Sequence, residues 1–396
     1  MSLTDTPNAN RLHIALFGRR NSGKSSLINA LTGQDIALVS NTPGTTTDLV
    51  SKAMEIQGIG PCLFIDTPGF DDEGELGELR ISRTLKAIEK TDIALLLCGD
   101  TTFSHEKEML ALLKEKNIPV IPVLNKIDIR ENSDHLATYI EEQCKIHPLL
   151  ISAKEKIGIE LIRQTILEKL PSDFGQQSIT GKLVAENDLV LLVMPQDIQA
   201  PKGRLILPQV QTIRELLDKK CLVMTCTTDK FSATLQALAR PPKLIITDSQ
   251  VFKAIYEQKP AESELTSFSV LFAGYKGDIH YYVESAAVIE RLTESSRVLI
   301  AEACTHAPLS EDIGRVKLPR LLRKRIGENL QIDMVAGTDF PQDLTPYSLI
   351  IHCGACMFNR KYVLSRIERA REQHIPMTNY GVAIAFLNGI LDQIKY

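Results

Sequence analysis

A chain of 396 residues is long enough for two to four domains that each bury a core without disulfide or metal staples, which excludes a small secreted scaffold. Its 45 Lys and Arg residues stand against 49 Asp and Glu, a formal net charge of −4, so no field of the whole chain gathers nucleic acid or anionic lipid. Apolar residues make up 44% and charged residues 24%, with no Trp, a globular balance that excludes a disordered chain.

Residues 1–11 are polar and lack a basic head followed by an apolar stretch, so they do not read as a signal peptide and the cytoplasm is the expected location. Apolar runs such as 189–194 fall far short of the ~18 residues that span a bilayer, so no membrane helix is expected. From residue 12 to residue 170 short apolar runs alternate with longer amphipathic stretches, the pattern of βα units around a mostly parallel sheet. Strands are predicted near 12–17, 49–55, 60–65, 92–98, 118–124 and 148–151, and helices near 24–32, 78–90, 104–116, 133–146 and 157–170. The polar segment 171–181 reads as a linker.

A shorter alternation follows, with strands at 189–194, 221–226 and 243–247 and helices at 208–219 and 230–239, too small for a comfortable core of its own. After a polar stretch at 260–266 a third alternation places strands near 267–272, 297–301, 331–335 and 347–351 and helices near 279–292, 317–326, 359–372 and 380–393. The domain reading is therefore 1–174, 180–259 and 264–396, all of α/β class.

Gly18-Arg-Arg-Asn-Ser-Gly-Lys-Ser25 fits G-x-x-x-x-G-K-[ST] between a predicted strand and a predicted helix, the context in which this motif wraps a phosphate chain. The glycines let backbone N–H groups face the phosphates, Lys24 neutralises the β/γ oxygens and Ser25 supplies a Mg²⁺ ligand. The nucleotide set here is Gly18, Asn21, Ser22, Gly23, Lys24, Ser25 and Ser26. Asp66-Thr-Pro-Gly69 closes the next buried strand and brings a carboxylate toward the metal and a glycine N–H toward the γ-phosphate. Asn125-Lys126-Ile-Asp128 ends another strand, where Asp128 can accept two N–H donors from guanine, and Ser152-Ala153-Lys154 completes the base pocket. Each piece alone could be a turn or a cap; four in order point to GTP or GDP, with Lys24, Asp66 and Gly69 as catalytic residues.

These residues closely resemble the translation-factor-like GTPases of the Era and MnmE type over about residues 11–171. The resemblance implies that Thr46, within Pro43-Gly-Thr-Thr-Thr-Asp48, joins the catalytic set as a second Mg²⁺ ligand, with Thr45 as the fallback, and that Asn21 stands where similar GTPases coordinate K⁺. Thr47 stands where Era-like relatives usually carry Arg. Phe70, not glutamine, follows Gly69, so slow, K⁺-stimulated hydrolysis is expected.

Of the eight cysteines, Cys353 and Cys356 have a ligand-like spacing. Cys304-Thr-His306 and His352-Cys353-Gly-Ala-Cys356 each follow an apolar run, so both loops leave strand ends, where sites form in open parallel sheets. Three thiolates suit a [4Fe–4S] cluster with one iron lacking a cysteine, and adding His306 suits Zn²⁺; spacing leaves iron–sulfur, zinc and unliganded thiols open. The basic run Arg315, Lys317, Arg320, Arg323, Lys324 and Arg325, with Arg360 and Lys361, reads as a solvated helix face or a partner-docking surface at least as readily as the lining of a site for an anion.

A GTPase domain joined to Cys-x-His and, about 45 residues later, His-Cys-x-x-Cys resembles the HydF family of [FeFe]-hydrogenase maturation GTPases along essentially the full chain. The resemblance implies a P-loop GTPase domain, a small α/β dimerisation domain and an α/β cluster-binding domain whose [4Fe–4S] cluster sits on Cys304, Cys353 and Cys356. His306, His352 and Glu302 are then candidate fourth ligands. It further implies a homodimer that receives a diiron precursor from the radical-SAM maturases HydE and HydG and passes it to the apo-hydrogenase HydA. The competing reading is an Era-like RNA or ribosome assembly GTPase with a structural zinc site. The acidic balance and the lack of a recognisable RNA-binding module speak against nucleic acid.

Overall fold

All seven residues of β1 (Leu12–Gly18) are buried, so the strand reads as one continuous apolar run. Leu12, Ile14 and Leu16 point into one core, and Ala15 and Phe17 into another on the opposite face, the two-residue alternation of a strand covered on both sides. The first core is closed by α1 (Lys24–Thr32) and α4 (Ile159–Glu168), the second by α2 (Ser104–Glu115) and α3 (Ser133–Cys144). With β2 (Val50–Ile56), β3 (Gly60–Asp66), β4 (Ile93–Cys98), β5 (Val120–Leu124) and β6 (Leu149–Leu150), the sheet runs β2-β3-β1-β4-β5-β6. Every neighbouring pair is parallel except β2 with β3. The carboxyl ends of β1, β3 and β5 thus share one edge.

The computed structural model describes residues 6–33, 50–56, 58–68, 83–99, 103–171, 174–175, 177–195, 205–303 and 312–396. It divides into two units, Met1–Phe174 and Gly175–Tyr396.

The second unit holds two four-stranded sheets in which every described pair is parallel. The first has the order β10-β9-β7-β8, from β7 (Leu189–Val193), β8 (Leu222–Cys226), β9 (Leu244–Thr247) and β10 (Glu264–Ser267). The second has the order β12-β11-β13-β14, from β11 (Arg297–Glu302), β12 (Gln331–Ala336), β13 (Leu349–His352) and β14 (Met377–Asn379). Between and around them lie α5 (Leu207–Asp218), α6 (Phe231–Ala237), α7 (Phe252–Gln258), α8 (Phe268–Lys276), α9 (Ile279–Ala286), α10 (Leu318–Ile326), α11 (Arg360–Glu372) and α12 (Tyr380–Leu387). Leu191, Val193 and Ile245 of the first sheet and Leu299, Ala301 and Ile350 of the second belong to one core, joined by Val270 and Ala273 of α8 and Val382 and Ala385 of α12.

Residues 267–272, expected as a strand, begin a helix instead. The Ser267 hydroxyl caps α8 by accepting from the Val270 N–H at 3.2 Å. Phe268, Val270, Leu271, Phe272 and Ala273 are all buried, so the helix has no polar stripe, and a short apolar run of this kind carries no period that separates helix from strand. β10 pairs with β9, so the first sheet continues through the polar stretch where the sequence suggested a break between 259 and 264. The seven-residue α7 and three-residue β14 were not expected from sequence. The terminal helix expected over 380–393 stops at Leu387; Gly389 adopts φ 70° and one helical turn follows at Leu391–Gln393. The helix expected at 78–90 falls partly outside the described residues. Among the described residues no helix is long and apolar enough to cross a membrane.

Glu215 of α5 anchors the chain that enters this unit. Its carboxylate accepts from the Ser178 hydroxyl at 2.8 Å, from the Thr180 N–H at 2.8 Å and hydroxyl at 2.7 Å, and from the Ile179 N–H. Burial alone would raise its pKa, but these hydrogen bonds outweigh burial and hold it below the ordinary 4.5. Its contribution is therefore present above the unfolded pKa and lost as pH falls through the folded one. We expect Glu215→Gln to lower unfolding free energy by about 2 kcal/mol at neutral pH, a difference that shrinks below pH 4.5 in denaturant titrations; a difference independent of pH would contradict this role.

Candidate functional site

The loop between β1 and α1 follows the shape expected of a phosphate cradle. Asn21 and Gly23 adopt φ 59° and 92°, so the backbone turns twice through the left-handed region before α1 begins. Lys24 is 8% exposed, and its Nζ donates to the carbonyls of Gly18 and Arg19 at 2.8 Å each, which folds the ammonium back over the loop. Ser25 donates its hydroxyl to Asp66 Oδ2 at 2.8 Å, joining the helix start to the end of β3. Burial raises the pKa of Asp66, opposed by the Ser25 hydrogen bond and the Lys24 charge. Ser26 is exposed on the first turn of α1. Thr46 and Gly69 lie outside the described residues.

The base-recognition segments are tied directly to this loop. Asn125 is 3% exposed; its Nδ2 donates to the Ser22 carbonyl at 3.1 Å, while its Oδ1 accepts from the N–H groups of Lys126 at 2.8 Å and Ala153 at 3.0 Å. Lys126 donates its ammonium to the Asn21 carbonyl at 2.7 Å. The Ser152 hydroxyl donates to Asp128 Oδ1 at 2.6 Å and holds that exposed carboxyl below the usual carboxylate range. Lys154 is exposed. One asparagine thus bridges the phosphate loop and both base segments, leaving Asp128 ionised and facing solvent.

Sequence reading missed a further brace. Arg19 lies inside the loop, and its Nε and one terminal nitrogen donate to the two oxygens of Glu106 at 2.9 and 3.1 Å. Glu106, near the start of α2, is 0% exposed. The signal was an acidic residue at a helix start, which reads as a dipole partner until the fold brings Arg19 onto it.

In the second unit, β11 and β13 run side by side with Ala301 opposite His352, so the Cys353–Cys356 loop leaves the sheet edge at which β11 also ends. Cys353 donates its N–H to the Ala301 carbonyl at 2.9 Å, and its Sγ accepts from the N–H of Ala303 at 3.0 Å and of Ala355 at 3.4 Å. Burial, with the Cys356 thiol beside it, pushes the Cys353 thiol up to about 11. Ala355 sits at φ 50°, turning the chain between the two cysteines. Lys276, last residue of α8, donates to the carbonyls of Ala355, Cys356 and Phe358 at 3.1, 3.2 and 2.6 Å. Burial pushes its ammonium down to about 8, and the charges of Cys356 and Cys353 oppose that shift. Cys304 and His306 lie outside the described residues, and among the described residues no group of three metal-ligating side chains gathers.

His352 is 0% exposed with both ring nitrogens engaged: Nδ1 with the Cys353 carbonyl at 2.8 Å and Nε2 with Arg366 at 2.9 Å. A guanidinium only donates, so Nε2 is the acceptor and Nδ1 carries the proton. Burial and the Arg366 charge hold this ring neutral, with its pKa pushed down to about 3. His352 is thus a strut under the loop, joining Arg366 to the Cys353 carbonyl. Three members of the basic set have described partners: Arg315 binds Glu302 at 3.1 Å, Lys317 donates to Gln250 at 2.7 Å, and Arg360 donates to the carbonyls of Gly277 and Tyr275 at 3.1 and 3.3 Å. The other oxygen of Glu302 accepts, among the described residues, the long 3.4 Å hydrogen bond of Tyr380.

Gly23 supplies a direct test of the nucleotide site. A Cβ there would lie 2.3 Å from Asn125 Nδ2, and its φ is left-handed. Gly23→Ala is expected to displace Asn125 and weaken GDP binding at least ~10-fold in calorimetric titration, about 1.4 kcal/mol; unchanged affinity would show that the asparagine bridge is dispensable.

Comparison with known proteins gives three family matches along the chain: a 50S ribosome-binding GTPase domain over residues 13–126, a hydrogen maturase F dimerization domain over 179–277 and a hydrogen maturase F tetramerization domain over 280–395. The tRNA modification GTPase MnmE of Dechloromonas aromatica is 39% identical over 159 residues, covering 39% of this chain and 34% of that protein. MnmE of Paraburkholderia xenovorans is 35% identical over 183 residues, covering 46% and 39%. The chain spans about a third of the length of these curated relatives. Among solved structures, Era of Aquifex aeolicus is 20% identical with a TM-score of 0.35, covering 54% of this chain and 92% of that one. A GTPase domain is thus followed by the hydrogen maturase F dimerization and tetramerization domains, and the chain belongs to the HydF family.

Proposed function

We propose that this protein is a GTP-hydrolysing scaffold of [FeFe]-hydrogenase maturation that carries a [4Fe–4S] cluster on Cys304, Cys353 and Cys356 and, through it, receives and delivers a diiron precursor. The observation that carries the reading is local. Cys353 and Cys356 emerge from β13 at the edge where β11 ends, and the N–H that binds Cys353 Sγ belongs to Ala303, immediately before Cys304 in the chain. All three cysteines fall within the residues matched to the tetramerization domain.

In the first unit, Lys24 would exchange its two carbonyl partners for β- and γ-phosphate oxygens, and Ser25 with Thr46 would hold Mg²⁺ while Asp66 orients Ser25. The Gly69 N–H would meet the γ-phosphate. Hydrolysis forms a bond from water oxygen to the γ-phosphorus and breaks the bridge to the β-phosphate, releasing GDP and phosphate. Asn125, Lys126, Asp128, Ser152, Ala153 and Lys154 would hold guanine, and Asn21 would hold K⁺ to neutralise charge developing on the phosphates. Turnover is expected to run faster in KCl than in NaCl at equal ionic strength; equal phosphate release in the two salts would remove the role of Asn21.

The donor set in the second unit fits an iron–sulfur cluster: a Cys-x-x-Cys turn at a sheet edge, a sulfur accepting two backbone N–H bonds, and buried positive charge around it. Bound there, such a cluster would supply an iron without a thiolate, whose fourth position a weak oxygen or nitrogen ligand can vacate for the precursor. Glu302, His306 and His352 are the candidates for that position; Glu302 would give up only a long hydrogen bond from Tyr380 among the described residues, whereas His352 would first have to release Arg366 or the Cys353 carbonyl. HydE and HydG as donors, HydA as acceptor, and self-association through the two matched assembly domains complete the proposal.

Anaerobic reconstitution tests the reading. The full chain should bind roughly four irons and four sulfides, and Cys304→Ser, Cys353→Ser or Cys356→Ser should each reduce the bound iron several-fold. Colourless protein holding one zinc would contradict it.

A further inference from the structure

Two buried cations press on the second cysteine loop, and neither belongs to the ligand set. Lys276 is 2% exposed and reaches that loop from α8 through its three carbonyl hydrogen bonds. Arg366, midway along α11, is 1% exposed. Its guanidinium donates to His352 Nε2 at 2.9 Å, to the Gly337 carbonyl at 2.6 Å and to the Tyr362 hydroxyl at 3.2 Å. The same group lies 4.6, 4.7 and 4.8 Å from the ring centres of Phe358, Tyr362 and Phe340, and its Nε is buried without a hydrogen bond.

Every one of these partners is neutral. Among the described residues no carboxylate pairs with either cation, whereas lysine and arginine are almost never fully buried without a counter-charge. Carbonyl dipoles and ring faces soften the charge without cancelling it. Both cations bracket residues 352–358: Lys276 from the carbonyl side of the turn after Cys353, Arg366 through His352, whose other nitrogen holds the Cys353 carbonyl.

We propose that Lys276 and Arg366 are the built-in counter-charges for an anionic thiolate-ligated cluster on this loop, holding it in place and raising its reduction potential without ligating iron. The inference rests on the cluster reading above. Three thiolates and a sulfide core carry net negative charge, and reduction adds one electron more, so a fixed cation in a low-dielectric setting favours the reduced form over the oxidised one. A purely structural staple would hold the turn but leave the potential where it is.

The test uses the full chain, reconstituted anaerobically with iron and sulfide, with wild type, Lys276→Met, Arg366→Met and Arg366→Lys in parallel. Midpoint potentials come from mediator titrations read by EPR, and retention from the rate of iron loss to a chelator. Each neutral variant should lower the midpoint by at least a tenfold change in the oxidised-to-reduced ratio, ~59 mV for one electron, and lose iron several-fold faster. Arg366→Lys should recover most of both. Neutral variants that load and keep the wild-type potential overturn the inference. Neutral variants that fail to load while Arg366→Lys loads support it; failure of Arg366→Lys as well would assign the site to shape and overturn it. Wild type that takes up no cluster would instead defeat the proposed function, a distinct outcome.

Discussion

The second unit is organised around the burial of α8 between two parallel sheets. Because Phe268, Val270, Leu271, Phe272 and Ala273 are buried, the helix cannot shift without opening the core shared by both sheets, and its end places Lys276 against the cysteine loop. The same helix sends Ser269 to Asn379 at 3.0 Å, and Asn379 in turn donates to the Cys353 carbonyl at 3.3 Å. The loop that would hold iron is thus positioned from below by residues of the dimerization-domain match and from the side by those of the tetramerization-domain match. Two assembly modules meet at one turn.

The GTPase unit applies the same economy with a different residue. Asn125 satisfies three backbone groups from three separate segments, so the phosphate loop and the base pocket share one rigid joint. The Arg19 to Glu106 pair adds a buried clamp from the opposite side of the loop. Removing one partner of such a pair strands a charge in the interior, which is why it fixes loop geometry more than it adds net stability.

Much of this was legible in the sequence, where local chemistry and local structure coincide. The phosphate loop, Asp66, the Asn125–Asp128 segment and the Ser152–Lys154 segment each sit at a strand end, and a strand end is visible as the close of an apolar run. The Cys353 to Cys356 turn was legible for the same reason. What escaped was chemistry made by tertiary approach. Lys276 is the only charged residue of Phe268–Lys276, but reading that run as a strand hid its helical reach. Arg366 falls on the stripe of Val363, Ile367 and Ala370, so its helical position already marked it as buried, yet nothing local named His352 as its partner. His352 looked like a ligand because sequence shows the type of a side chain and not whether its nitrogens are already bonded.

The account stands or falls on iron held by three sulfurs at the edge of β11 and β13. Anomalous scattering at the iron edge, from crystals of the full chain reconstituted and frozen without oxygen, tests that most directly. We expect a compact iron peak bonded to the sulfurs of Cys304, Cys353 and Cys356, with Lys276 still on its three carbonyls and His352 still on Arg366. Iron elsewhere in the chain, or a lone zinc on the same cysteines, would contradict it.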